Sequence, residues 1–299
     1  MLEILTSVIG PVVIVVAIGA VLGHRLELDS KTLSKLAYWI LGPAFMFDGL
    51  ATADLDGGTV AGLVAAAALS FVAAGVAGGA LSSVLGNGRE NIAADIVSST
   101  YGNVGNAGIA VCVFALGDSV RASAIIVMVV VNTLGVVLGV ALATSRTLSI
   151  WAAVRTGITT PLTLGALLAV PVNYFSVDLP DWFERPVGLI AGALIPVMLL
   201  TLGLQLRAVD LARPEPGVFA AAPAKLVVAP VAAFFVARSL DLPDTDAGVV
   251  LMQASMPPAV FTMLVALEHD LAPKRVTSAL VTLTGLSLFT VPFAVLVAR

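Results

Sequence analysis

"SSTYGNVGNAGIAV", residues 98–111, places two Asn and three Gly inside a run otherwise apolar enough to cross a lipid bilayer. The surroundings decide how that interruption is read. Mean hydropathy is +1.05, and only 11% of residues are charged, against roughly 25% in soluble domains. Apolar runs recur along all 299 residues, so the composition is that of a polytopic, all-α membrane protein. Runs of 20 or more apolar residues are too long for barrel strands of about 10. A break at membrane depth therefore needs a reason, because lipid cannot satisfy the freed backbone groups.

Cutting at charged or turn-rich stretches gives ten expected spans: 3–23, 33–53, 58–85, 92–116, 120–144, 148–171, 186–206, 217–238, 247–267 and 276–298. The first has Glu3 where a signal peptide carries positive charge, and reads as a retained span. Connections after the odd-numbered spans hold 10 Lys/Arg against 4 on the other side, with Lys225 inside span 8. That asymmetry places the first set in the cytoplasm and both termini outside, in a plasma membrane such as a bacterial inner membrane. The net charge of −4 adds nothing about partners, and the single Cys112 cannot form an intrachain disulfide.

Ten spans divide into two five-span halves of opposite orientation, 1–145 and 146–299. Span 2 reads "LGPAFMFDGL" and span 7 "LIPVMLLTLGL"; span 4 is broken by "YGNVGN" and span 9 by "SMPPAV". Interruptions at the same place in inverted halves point to the binding site of a secondary transporter. Pro257 and Pro258 remove two backbone donors. Gly102, Gly105 and Gly108 permit close approach, while Asn103 and Asn106 offer amide donors and acceptors. Half-helix N-termini meeting at such a crossing would favour an anion.

At these residues the chain resembles the auxin efflux carrier family, which takes in bacterial organic-anion permeases, including malonate-type carriers, and the plant PIN auxin exporters. "GNVGNAGIAV", "PAKLVVAPVAAF", "QASMPPAVFTMLVALEH" and "TLTGLSLFTVPFAVLV" carry the resemblance, which runs over essentially the whole chain. It implies a ten-helix inverted repeat like that of sodium/proton antiporters and bile-acid symporters, with helices 4 and 9 crossing. It further implies a scaffold of helices 1, 2, 6 and 7, a transport domain of helices 3–5 and 8–10, and elevator-like movement of a small carboxylate. A homodimer through the scaffold is implied too. The substrate-facing Asn of the family maps onto Asn103 or Asn106, and its span-9 Pro onto Pro257 or Pro258. Ala110 stands where the family often has Pro, and Val260-Phe261-Thr262 where many bacterial members carry Asn, which makes the expected pocket more apolar.

Tyr101, Gln253 and Phe261 join the expected substrate site. Asp48 and Lys225, the most deeply placed ionisable residues, are expected as a charge pair or coupling element. Asp95 reads as a helix N-terminal carboxylate, and Asn132 and Thr133 as bonds to a neighbouring helix. Ser98-Ser99-Thr100 would line the pocket or cover carbonyls of the broken helix, and "AAGVAGGALSS" reads as close helix packing. His24 and His269 fall in loops. A sodium/proton antiporter on the same fold would resemble its relatives in carrying acids in span 5, where this chain reads "VVVNTLGV". No GxxxxGK[ST] or HExxH motif occurs, which argues against an ATP-driven pump and an intramembrane enzyme. No cofactor and no nucleic-acid partner are expected, and coupling to sodium or protons stays open.

Overall fold

The computed structural model describes residues 1–142, 150–208, 218–269 and 271–299. Arg146 and Arg213 lie outside the described residues, as do the side chains of His24 and His269. The chain is an all-α membrane protein. Six described helices are long and apolar enough to cross a bilayer: α1 (Leu2–Gly23), α3 (Gly57–Val84), α6 (Asp118–Gly139), α9 (Asp181–Arg207), α10 (Phe219–Ser239) and α13 (Pro273–Ala298). Between them lie α2 (30–51), α4 (Arg89–Thr100), α5 (Val104–Leu116), α7 (Ile150–Ile158), α8 (Pro161–Tyr174), α11 (Asp244–Ala254) and α12 (Val260–His269).

Not all expected spans are therefore continuous. The spans read at 92–116 and 247–267 are each split in two, as their Gly, Asn and Pro content predicts. A third split was not expected: 148–171 divides into α7 and α8 at Thr159–Thr160. The cause is local. Pro161 disfavours a helical residue before it, and Thr160 is extended, with φ −64° and ψ 147°. Its hydroxyl then accepts from Thr163 N at 3.2 Å and caps α8. α9 begins five residues earlier than expected, at Asp181, because Asp181 and Glu184 suit the positive end of a helix.

The outward surface is apolar, as contact with lipid requires: Val72 and Val76 of α3, Phe235 of α10, and Phe289 and Phe293 of α13 are exposed. Inside, α1 packs along the second half of α9, and α2 along α8. α3 lies against α4 and α10, α10 against α11, and α11 against α6 and α13. Small residues allow these approaches. A Cβ at Gly203 would strike the Val16 carbonyl, and one at Gly75 or Gly78 would strike Thr100 or Ser99 of α4. "AAGVAGGALSS" is thus packing surface, as read.

Two ties fix α4. Asp95 forms a buried bidentate ion pair with Arg275 of α13, at 2.8 and 2.7 Å. It sits beyond the first turn of α4, so it is half of an ion pair rather than the helix N-terminal carboxylate expected. Glu90 Oε1 accepts from Ala272 N at 3.1 Å, holding the start of α13 to the start of α4.

Candidate functional site

The two broken stretches pair with each other. α4 ends at Thr100, and Tyr101 leaves the helix with φ −82° and ψ 90°. Gly102 and Pro258 then form an antiparallel bridge. Tyr101 O accepts from Ala259 N at 3.0 Å, and Pro257 O accepts from Asn103 N at 2.7 Å. Each break thereby supplies the backbone partner that the other needs where lipid offers none. The hydroxyls behind the break serve their own helix: Ser99 donates to Asp95 O at 2.6 Å and Thr100 to Ile96 O at 2.9 Å. These two satisfy carbonyls, the second of the two roles expected for the run.

Beyond the crossing, α5 and α12 begin, and their first N–H groups have no partner within the helix. Both starts border one cavity of about 410 Å³, which reaches the end of the bundle where α2 begins and α9 ends. Gly102, Asn103, Gly105 and Asn106 line it from one break, and Ala259, Val260 and Phe261 from the other. Asn103 is only 5% exposed, and neither its side-chain amide nor that of Asn106 is hydrogen-bonded to a described residue.

An aromatic shelf stands beside these amides. The rings of Tyr101 and Phe261 lie 5.2 Å apart, tilted by 36°. Tyr101 donates to Asn132 Oδ1 at 2.5 Å, which fixes the ring against α6. Gly135, on the same helix, is needed for that placement, since a Cβ there would overlap the ring. Asn132 thus bonds to a residue of the break rather than to a neighbouring helix as expected, and it borders the cavity. Thr133 faces α7 instead, where a Cβ on Gly157 would meet its methyl group at 3.1 Å.

Of the expected site residues, Asn103, Asn106, Gly102, Gly105, Tyr101 and Phe261 are brought together at this cavity. Three are not. Pro257 and Pro258 are buried in the backbone pairing, where their role is to shape the break. Gln253 belongs to α11, the half-helix before the break, and is fully buried on the opposite side, donating to Ala124 O at 2.9 Å.

Asp48 and Lys225 do not form a charge pair. Asp48 meets Arg121 at 3.2 Å, Arg121 also reaches Asp118 at 2.8 Å, and its guanidinium lies 5.6 Å from the Phe45 ring centroid. Lys225 is 3% exposed on α10, behind Gly102. In the sequence both look isolated within apolar spans; Arg121 stands in the first turns of α6, where its long side chain reaches across to Asp48.

The far wall of the cavity was missed in the sequence. α2 contributes Ser34, Lys35, Tyr38 and Trp39, and α9 contributes Met198, Thr201 and Gln205. Gln205 Nε2 donates to Ser34 Oγ at 3.3 Å, while its Oε1 is buried without a partner. Two signals were present: an amide inside the apolar run "LTLGLQL", and the Tyr38-Trp39 pair directly after Lys35. Lys35 is the one lysine, arginine or acidic side chain lining the cavity among the described residues.

The cavity can hold an anion by donors from two helix starts and two amides, with apolar walls for the rest of a molecule. The profile of a family described as membrane transport protein matches residues 144–295, slightly over half of the chain. No curated protein matches the chain. With its motifs and this match, the chain belongs to that family of membrane transport proteins, the auxin efflux carrier family.

Proposed function

We propose that this protein is a secondary carrier of small organic anions that binds its substrate at the crossing of the two broken stretches. The observation that carries this reading is the convergence of the α5 and α12 starts with the Asn103 and Asn106 amides on one cavity. Helix starts hold partial positive charge and free N–H groups, so a carboxylate is their natural partner. Beyond the carboxylate, Met128, Leu162, Leu194, Met198 and Phe261 offer apolar contact. A volume of about 410 Å³ with one lysine favours an acid with a ring-sized apolar body over a compact dicarboxylate such as malonate.

The ten-span inverted repeat is part of the same proposal, with halves at 1–145 and 146–299. Reciprocal packing supports it: α1 lies on α9 as α8 lies on α2, and α4 meets α3 and α13 as α11 meets α10 and α6. The scaffold is formed by α1, α2 and α7–α9, and the moving unit by α3–α6 and α10–α13. The cavity lies between these units, the arrangement that elevator movement requires. Lys/Arg asymmetry puts the Lys35 end in the cytoplasm, so the cavity opens inward and both termini lie outside. The carrier sits in the plasma membrane as a homodimer through its scaffold.

Uptake into proteoliposomes of labelled phenylacetate, indole-3-acetate and malonate, each with and without sodium or a pH step, tests the proposal. Saturable uptake of a ring-bearing acid that exceeds malonate uptake supports it. Transport of none of the three, with a sodium-triggered proton flux instead, would assign the fold to antiport.

A further inference from the structure

The anion cavity has a counterpart on the other side of the crossing. α4 ends at Thr100 and α11 at Ala254. Helix ends leave carbonyls without intrahelical partners and carry partial negative charge. Both residues border a void of about 20 Å³, room for about one water. Such a place attracts a cation, and Lys225 lines the void from α10, together with Ser70 and Gln253.

Three observations bear on this placement. Lys225 is 3% exposed, and among the described residues no carboxylate forms an ion pair with it. A buried charge without a counter-charge is costly, so it persists only where other groups favour it. Gln253 leaves a free acceptor at the same void: it is fully buried, and its Oε1 has no hydrogen-bond partner, Lys225 included. Gly102 supplies the approach. A Cβ there would lie 2.9 Å from Lys225 Nζ and 3.4 Å from Met256 O, so the Lys225 side chain ends directly against the Gly102 backbone, and a Cβ would press it back from the crossing. Gly102 also borders the anion cavity. The ammonium therefore stands one residue behind Asn103, in a low-dielectric region where charge acts over distance.

We propose that Lys225 is a built-in counter-cation for the crossing: its ammonium occupies the position where converging helix ends would bind a free cation, so that anion binding needs no sodium. This rests on the reading of the neighbouring cavity as the substrate site. The role is a positioning one, because Lys225 acts on the anion through the Gly102 backbone. It also makes the anion and its compensating charge travel together if the two helix pairs move as a unit.

The test uses the full-length protein, with two readouts in sodium, potassium and choline chloride. The first is the melting temperature of the detergent-purified protein, and the second is labelled phenylacetate uptake into proteoliposomes. Wild type is expected to give the same values in all three salts. Lys225→Ala is expected to lose uptake by about tenfold or more, the range that charged hydrogen bonds carry, and to regain part of it with added methylammonium or ethylammonium. A sodium-specific rise in wild-type melting temperature or uptake would overturn the proposal, as would undiminished uptake by Lys225→Ala. If Lys225→Ala does not fold, the wild-type salt comparison still decides. If phenylacetate is not transported at all, the function proposed above fails, while the melting temperatures still report on the cation site.

Discussion

Gly135 gives a sharp test of the site, because it touches the substrate only through Tyr101. In Gly135→Ala the new methyl group would overlap Cδ2 and Cε2 of the Tyr101 ring. The ring has little room to yield. Its hydroxyl is held by Asn132 at 2.5 Å, and Phe261 lies 5.2 Å away on the shelf. Displacing it breaks the hydrogen bond, worth about 0.5–1.5 kcal/mol, and the ring pair, worth about 0.5–1.5 kcal/mol. Together these amount to about 1–3 kcal/mol, or roughly a 5- to 150-fold rise in apparent KM. Alanine otherwise favours the helix, so α6 itself should persist. Phenylacetate uptake by Gly135→Ala and by Tyr101→Phe, with melting temperatures as controls, separates the contributions. Tyr101→Phe loses only the hydrogen bond and should raise KM by roughly fivefold. A wild-type KM in Gly135→Ala, with an unchanged melting temperature, would refute the placement of Tyr101 at the substrate.

Other substitutions address the supports. Arg275→Ala leaves the Asp95 carboxylate buried and unpaired and should destabilise the protein by about 3–5 kcal/mol; thermal unfolding reads this, and a loss within error would contradict the ion pair's burial. Asp48→Asn removes a partner of Arg121 in a pair that water still reaches, with side chains 32% and 24% exposed, so stability should fall by about 1 kcal/mol, and the pH profile of uptake should not move. A shifted profile would restore Asp48 as a coupling group. Asp56 caps α3, accepting from Gly58 N at 2.8 Å and Thr59 N at 3.0 Å. The Thr59 hydroxyl, then the Thr59 N–H, holds its carboxyl below the usual range. A lowered folded-state value contributes stability that is present above the unfolded value and is lost as pH falls through the folded one. Asp56→Ala should therefore weaken the acid limb of a melting-temperature profile, and identical limbs would argue against the cap.

The breaks were legible in the sequence because Gly, Asn and Pro inside apolar runs have few other uses. "YGNVGN" and "SMPPAV" marked both places, and the structure adds that they pair through Gly102 and Pro258. The third break escaped notice because Thr160-Pro161 acts through one residue's backbone and leaves the apolar run intact. The far wall was illegible for a different reason. Ser34, Lys35 and Gln205 sit near helix ends, where polar residues ordinarily meet the membrane interface. Which of them turns inward depends on α1 packing on α9 and α2 on α8, a non-local fact. Pairing Asp48 with Lys225 followed from depth alone, and depth along a span does not specify which neighbour a side chain faces. Asp95 likewise looked like a capping carboxylate until its partner, 180 residues away, came into view.

The most direct test of the anion-carrier reading is the charge displaced when phenylacetate is rapidly added to proteoliposomes on a sensor surface, in sodium-free buffer. Wild type, Asn103→Ala and Asn106→Ala should be compared at matched protein density. A saturable current in wild type that is lost or shifted to much higher concentration in both variants is the predicted result. No current for wild type, or undiminished currents in both variants, would contradict an anion held at the crossing.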